Sequence, residues 1–284
     1  MQCDKCGNEA IIFQPYSGRH LCREHLVADI ETRIKREIRA GHWMRPGDHL
    51  AVALSGNKSS RALLFFFHTL IAQRRDIRLS AIIIDEGIAG YRTLHQIRKL
   101  ADVLDIPCYH GSFQDEFQLT IDVLAGGRDA GSSCNRCREL RTALVETIAR
   151  REHITRIISG RTLEDKAGAI LENLLIGEVE SLIADDIRES SIPWVDPLGS
   201  VPRTEAGIYA DLRCPGVDIS GCPYRGSGFS EEVGELLESY TNRHPATPFS
   251  IAGVGKALRE GCGHVRAPPP ASPEDHSSQS PHRH

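Results

Sequence analysis

The chain has 284 residues, a formal net charge of −4 and 40% hydrophobic content, enough to bury the core of one large domain with small appendages. No apolar run reaches the length of a membrane span, and the opening "MQCDKC" has neither the basic nor the apolar region of a signal peptide, so a cytoplasmic protein is expected. There, nine cysteines read as metal ligands or catalytic thiols rather than disulfides, and the mildly acidic balance argues against a general nucleic-acid coat without excluding a local basic face.

Residues 1–25 are a small cysteine-rich unit. Cys3 and Cys6 form a CxxC, and Cys22 and His25 a CxxH fifteen residues later. Two close pairs of soft donors across a short hairpin are the arrangement of a structural zinc site, and a unit with so few apolar residues needs such a staple to fold. His20 is a second candidate for the fourth ligand, at poorer spacing. Residues 26–48 read as a linker helix. In "HLVADIETRIKREIRAGH" Ile30, Ile34 and Ile38 share one face, with Arg33, Lys35, Arg36 and Arg39 around the rest.

Residues 49–200 alternate. "HLAVAL" reads as a strand and "SSRALLFFFHTLIAQRR" as a helix; "RLSAIIID" and "YRTLHQIRKLADVL" repeat the pair, and "IPCYHGSF" and "FQLTIDVLAGG" repeat the theme. After "CNRCRELRTALVETIARR" come the strand "ITRIISG" and one long helix, "LEDKAGAILENLLIGEVESLI", with Ala167, Ile170, Leu171, Leu174 and Leu175 at helical spacing. Such alternation predicts an α/β fold, a doubly wound parallel sheet covered on both faces. Ligands then gather at the carboxyl ends of the strands, where Ser55–Ser60, Asp85–Gly87 and Ser159–Gly160 fall. Residues 201–262 read as short helices and loops, and 263–284, rich in Pro, Ser and His, as a disordered tail.

Two stretches bear the chemistry. "LSGNKSS" links strand to helix, the context in which backbone N–H groups and a helix N-terminus hold phosphate. "GSSCNRCRELR" carries a second CxxC, Cys134 and Cys137, with Cys214 and Cys222 as distant partners. Three converging cysteines suit an iron–sulfur cluster with one iron lacking a protein ligand; a redox dithiol and a second zinc are the alternatives. Cys108 reads as core, and Cys262 has no partner.

Together the CxxC–CxxH unit, the Ser/Gly loop, "DEGIAGYR" (residues 85–92), the second CxxC, and "CPY" followed by "NRHPATPFSI" resemble the PP-loop ATP-dependent tRNA 2-thiouridine synthetases, from Met1 to about Leu258. The resemblance implies a PP-loop domain behind an N-terminal zinc ribbon. It implies that ATP, with Mg²⁺, adenylates the C2 oxygen of a tRNA uridine and that sulfide then displaces AMP, the sulfide being carried on a 4Fe-4S cluster. The sulfur comes from free sulfide or a ubiquitin-like carrier. It places zinc on Cys3, Cys6, Cys22 and His25, and the cluster on Cys134, Cys137 and Cys222. Arg141 falls at the position of a catalytic Lys or Arg, and Asp165 at the second acid of a GHNxDD motif. Nucleotide contacts fall on Ala53, Ser55, Gly56, Lys58, Ser60, Ile84 and Gly160, with Ser59 at the catalytic acid of the loop.

The sequence departs from the family at the nucleotide. SGGxDS is here "SGNKSS": Asn57 replaces a glycine where backbone approaches phosphate, and Ser59 replaces a carboxylate that orients Mg²⁺. GHNxDD is "GRTLED", residues 160–165. The family's C-terminal zinc ribbon has only Cys262 to represent it. Against these readings, Asn57 tolerates positive φ, Asp165 serves equally as a helix cap with Thr162, Arg141 as a solvated helix residue, and the basic stripe as a solvent face rather than a phosphate contact. Two functions stay open: a tRNA 2-thiolation protein, or a catalytically degenerate paralogue that binds tRNA, nucleotide or a partner synthetase. A homodimer is left open by the sequence.

Overall fold

The computed structural model describes residues 1–91, 94–126, 133–183, 192–215, 221–224 and 228–262. The tail at 263–284 and Arg92 of the "DEGIAGYR" motif therefore lie outside the described residues, as does the side chain of Cys262.

The N-terminal unit is a hairpin of β1 (Ile12–Gln14) and β2 (Arg19–Leu21), in antiparallel register Ile12 to Leu21. It runs into α1 (Arg23–Ala40), whose Leu26, Ile30, Ile34 and Ile38 are buried at the spacing the sequence showed. These residues, with Cys3 and Leu21, join the same apolar core as Leu50, Val52 and Ala62.

The main sheet is built from β3 (His49–Ala53), β4 (Arg78–Asp85), β5 (Cys108–Ser112), β6 (Arg156–Ile158) and β7 (Trp194–Val195). All its pairings are parallel, in the spatial order β5-β4-β3-β6-β7. Parallel strands buried on both faces read as continuous apolar runs, which is why "HLAVAL" and "SAIII" show no alternation. Leu50, Val52, Ala81 and Ile83 face one core. Ala51, Ile82, Ile84 and Ile157 face the other. The crossovers are α2 (Lys58–Ile71), α3 (Leu94–Asp102), the group α4 (Phe113–Phe117), α5 (Ile121–Ala125) and α6 (Ser133–Arg151), and then α7 (Leu163–Ile176) with α8 (Val179–Ile183). Strand order reverses about β3, so the crevice beside its carboxyl end is the binding position of a doubly wound sheet.

After β7 come α9 (Arg203–Arg213), which packs on α1 and α2, then α10 (Phe229–Arg243) and α11 (Thr247–Cys262), which pack on α7. These last two are full-length helices, where the sequence suggested short ones. Two further expectations change. The long helix over 163–183 is two helices, because Gly177 takes φ 76 and closes α7 with a left-handed cap. Leu174 and Leu175, placed on its apolar stripe, are exposed. "FQLTIDVLAGG" yields only the one-turn α5, capped by Thr120. Among the described residues no helix is long and apolar enough to cross a membrane.

Candidate active site and metal centre

Cys3, Cys6, Cys22 and His25 bring four donor atoms within 4.8 Å of one another. The Cys6 and Cys22 sulfurs are 3.8 Å apart, and His25 Nδ1 lies 3.4 Å from Cys3 Sγ and 3.3 Å from Cys22 Sγ. Thiolates about 2.3 Å from a tetrahedral zinc would stand about 3.8 Å apart, so the donor set fits that ion. Burial opposes ionisation of Cys3, but backbone hydrogen bonds from Cys22, Lys5 and Cys6 outweigh it and bring the thiol down to about 6. His20 is outside this group; it stacks on Phe13 and faces Asp4.

The turn after β3 is closed on itself. Gly56 supplies the positive φ, at 84°, while Asn57 sits in ordinary extended backbone as the N-cap of α2. Asn57 Oδ1 accepts the Ser60 N–H at 2.8 Å, Ser60 Oγ donates to the Asn57 carbonyl, and the Ser55 and Ser60 hydroxyls are 3.3 Å apart. The family-pattern glycine is thus replaced by a side chain that occupies an N–H of the helix N-terminus, the group a phosphate would seek. Ser59 is buried at the start of α2. Gly160 packs on this turn so closely that a Cβ there would stand 3.1 Å from the Ser60 nitrogen. Ala53 and Ile84 sit in the sheet at the carboxyl ends of β3 and β4. The Lys58 ammonium is engaged with Asp211 of α9 at 2.7 Å.

The second CxxC opens α6. Cys137 is buried, and Cys222 and Tyr224 pack against the same apolar cluster. Cys134 Sγ lies 3.1 Å from the Tyr224 carbonyl, two residues beyond Cys222. Burial pushes the Cys137 thiol up against the opposing pull of Arg141, and Glu86, Cys222 and Cys134 add to the rise. Thiols brought to one apolar wall are the donor chemistry of an iron–sulfur cluster. Cys214 lies elsewhere, at the end of α9, with its carbonyl on Arg61.

Arg141, one turn after Cys137, donates from Nε to Glu86 at 2.8 Å and from Nη2 to Cys137 Sγ at 3.2 Å. Partial burial works against its charge, but Glu86 and Cys137 outweigh that and hold the guanidinium firmly protonated. Asp165 has fewer free valences: Oδ2 accepts the Thr162 N–H and hydroxyl, and Oδ1 pairs with Arg203 at 2.7 Å. The geometry at Asp165 is that of a capping box at the helix start, in which the Thr162 side chain accepts the Asp165 N–H and the Asp165 carboxylate accepts the Thr162 N–H. Of the basic stripe on α1, Arg33 is turned inward onto Asp29, Tyr16 and Glu205, while Arg36 and Arg39 are exposed.

Sequence reasoning passed over two groups here. Glu86 lies inside a quoted motif, but nothing local reports its burial. Glu205 is buried and accepts from Gln14 at 3.0 Å and from Tyr16, tying the N-terminal unit to α9.

A doubly wound sheet with a Ser/Gly turn at its switch point, fronted by a cysteine–histidine unit, is the architecture of a PP-loop protein. Residues 27–213 match the family model described as the PP-loop domain, and residues 2–27 the one described as the N-terminal LIM domain of 2-thiouridine synthetase TtuA. The chain is 31% identical to the tRNA 2-thiolation protein NcsA of Haloferax volcanii, over 92% of this chain and 87% of that one. It is 29% identical to the cytoplasmic tRNA 2-thiolation protein 1 of Mus musculus, over 94% of this chain and 66% of that one. Its fold matches the U34-tRNA thiolase NcsA of Methanococcus maripaludis, solved with its 4Fe-4S cluster, at a TM-score of 0.79 and 24% identity, over 92% of this chain and 87% of that one. The chain belongs to the PP-loop family of tRNA 2-thiolation proteins.

Proposed function

We propose that the chain acts in 2-thiolation of a tRNA uridine, in two steps. The uridine C2 oxygen attacks the α-phosphorus of ATP and pyrophosphate leaves. Hydrosulfide then adds to C2, loses its proton, and AMP departs with the C2–O bond. Sulfide comes free or from a ubiquitin-like carrier. The observation that carries the reading is the wall at the carboxyl end of β4, where Arg141 bonds both Glu86 and Cys137, Cys222 packs on the same apolar cluster as Cys137, and Cys134 reaches the Tyr224 carbonyl.

In this reading Cys134, Cys137 and Cys222 hold a 4Fe-4S cluster, which supplies an iron free to bind sulfide. Arg141 offers positive charge to anionic sulfur or phosphate beside them. Ser55, Gly56 and Ser60 line the phosphate turn, Ala53, Ile84 and Gly160 border the nucleotide, and Cys3, Cys6, Cys22 and His25 hold structural zinc. Lys58 acts through Asp211, and Asp165 braces the start of α7. The self-capped turn and Ser59 favour a second reading for the nucleotide step alone, in which adenylation is slow and magnesium matters little.

The test is anaerobic reconstitution followed by metal analysis, ATP–pyrophosphate exchange and nucleoside mass spectrometry of tRNA. Wild type should return zinc and about four irons per chain. Cys134→Ala, Cys137→Ala and Cys222→Ala should each lose the iron, and Cys214→Ala should keep it. Iron that survives Cys222→Ala but not Cys214→Ala would reject the ligand set. Thiolated tRNA without pyrophosphate exchange would reject the adenylation step.

A further inference from the structure

We infer that Glu86 is a positioning residue that aims the Arg141 guanidinium at the sulfur of Cys137. Its functional meaning rests on the three-cysteine reading above; its geometry does not. The Glu86 side chain is 2% exposed and that of Arg141 is 43% exposed. A long side chain with that much access to water samples many rotamers unless something holds it. Glu86 takes Nε at 2.8 Å, which leaves Nη2 on Cys137 Sγ at 3.2 Å. A buried carboxylate of this kind is stable only when paired, so the pair fixes the direction of the cation as well as its presence.

The turn that delivers Glu86 is built for the purpose. Asp85 Oδ1 accepts the Gly87 N–H at 2.9 Å, and the Glu86 carbonyl accepts the Ile121 N–H at 3.0 Å. Gly87 takes φ 66, and a Cβ there would come 2.6 Å from Thr120 Cγ2. The "DEG" of the motif thus resolves into three tasks. Asp85 sets the turn, Gly87 permits it, and Glu86 is sent inward to the arginine. Hydrogen bonds to ligating sulfurs are among the levers that set the potential of an iron–sulfur centre, and an aimed guanidinium N–H is such a bond.

The test is a double-mutant cycle on the full-length chain: wild type, Glu86→Gln, Arg141→Gln, the double variant, and Glu86→Asp. In metal-free protein, 15N relaxation of the Arg141 Nε–H should report an ordered side chain in wild type, a mobile one in Glu86→Gln and partial order in Glu86→Asp. After reconstitution, Arg141→Gln and Glu86→Gln should each shift the midpoint potential, and the double variant should show that Glu86→Gln adds little once Arg141 is gone. Equal effects of Glu86→Gln on the potential with and without Arg141, or an Arg141 Nε–H as ordered in Glu86→Gln as in wild type with the fold intact by circular dichroism, would overturn the inference. If Glu86→Gln does not fold, Glu86→Asp, which keeps the charge on a shorter arm, must still loosen Arg141, and unchanged order also overturns it. A wild type that takes up no iron would remove the cluster reading, while the relaxation measurement would still decide the positioning role.

Discussion

In the proposed reading, nucleotide binding turns on Asn57. Its carboxamide oxygen holds the Ser60 N–H at 2.8 Å, so a phosphate entering the turn must displace a hydrogen bond already made. A bond to a charged acceptor is worth about 1.5–3 kcal/mol net, against about 0.5–1.5 for a neutral one. In wild type the phosphate gains only the difference, roughly 1–1.5 kcal/mol. Asn57→Gly leaves the N–H open, and the phosphate should gain the remainder, about 1 kcal/mol or roughly fivefold in affinity. The fold should barely notice, because exchanging an Asn cap for Gly costs a few tenths of a kcal/mol. Asn57→Asp is the converse probe. It caps as well as Asn but places a negative charge where phosphate must sit, so ATP and AMP binding should weaken more than tenfold with stability unchanged. Isothermal titration with ATP and AMP, with and without magnesium, reads all three proteins. Equal affinity in wild type and Asn57→Gly, or Asn57→Asp binding as well as wild type, would show that phosphate does not meet this N–H. Adding Ser59→Asp to Asn57→Gly should raise pyrophosphate exchange, since only that pair restores both the open amide and the carboxylate.

Two further outcomes follow from buried charge. Glu205→Ala should lower stability by about 2–3 kcal/mol, because it removes the buried acceptor for Gln14 and Tyr16 and leaves Arg33, whose side chain is 14% exposed, with Asp29 as its remaining carboxylate; a denaturation midpoint within error of wild type would refute this. His49 is buried against Ser80 and its pKa is lowered by burial, with Arg78 adding to the effect. The folded chain resists a proton that the unfolded chain takes up near pH 6.5, so this group leaves stability complete above that pH and erodes it as pH falls below, and His49→Gln should flatten that slope in urea melts at pH 5–8.

What the sequence showed and what it hid divide along physical lines. Cys3, Cys6, Cys22 and His25 were legible because ligand spacing is local and a hairpin closes it. The phosphate turn was legible because a strand, a Ser/Gly turn and a helix follow one another in the chain. Glu205 was hidden because its partner Gln14 lies 191 residues away, and no local pattern marks a carboxylate as buried. Arg33 was misleading for the same reason: the stripe on α1 looked like a solvent face, yet one member turns inward to Glu205. Gly177 was passed over because apolar spacing continues through it, and the left-handed cap leaves no periodic trace. β7, with two residues, is too short to show any period.

α9 explains how the loop can differ from its family while its surroundings hold together. At its first turn Arg203 meets Asp165 and Glu205 meets the N-terminal unit. At its last, Asp211 meets Lys58 at 2.7 Å and lies 3.6 Å from Arg61, while the Cys214 carbonyl accepts from Arg61. Arg61 is fully buried in the first turns of α2, so its charge depends on those contacts with α9. The polar ties between the phosphate helix and α9 are therefore Lys58 and Arg61, beside the apolar packing of Ala62, Leu63, Leu64, Phe66 and Phe67. Asn57 instead bonds within the turn. Changing it alters what the turn offers a phosphate and leaves the frame carrying the turn in place. Cys222, which follows α9 in the sequence, packs against the same apolar cluster as Cys137.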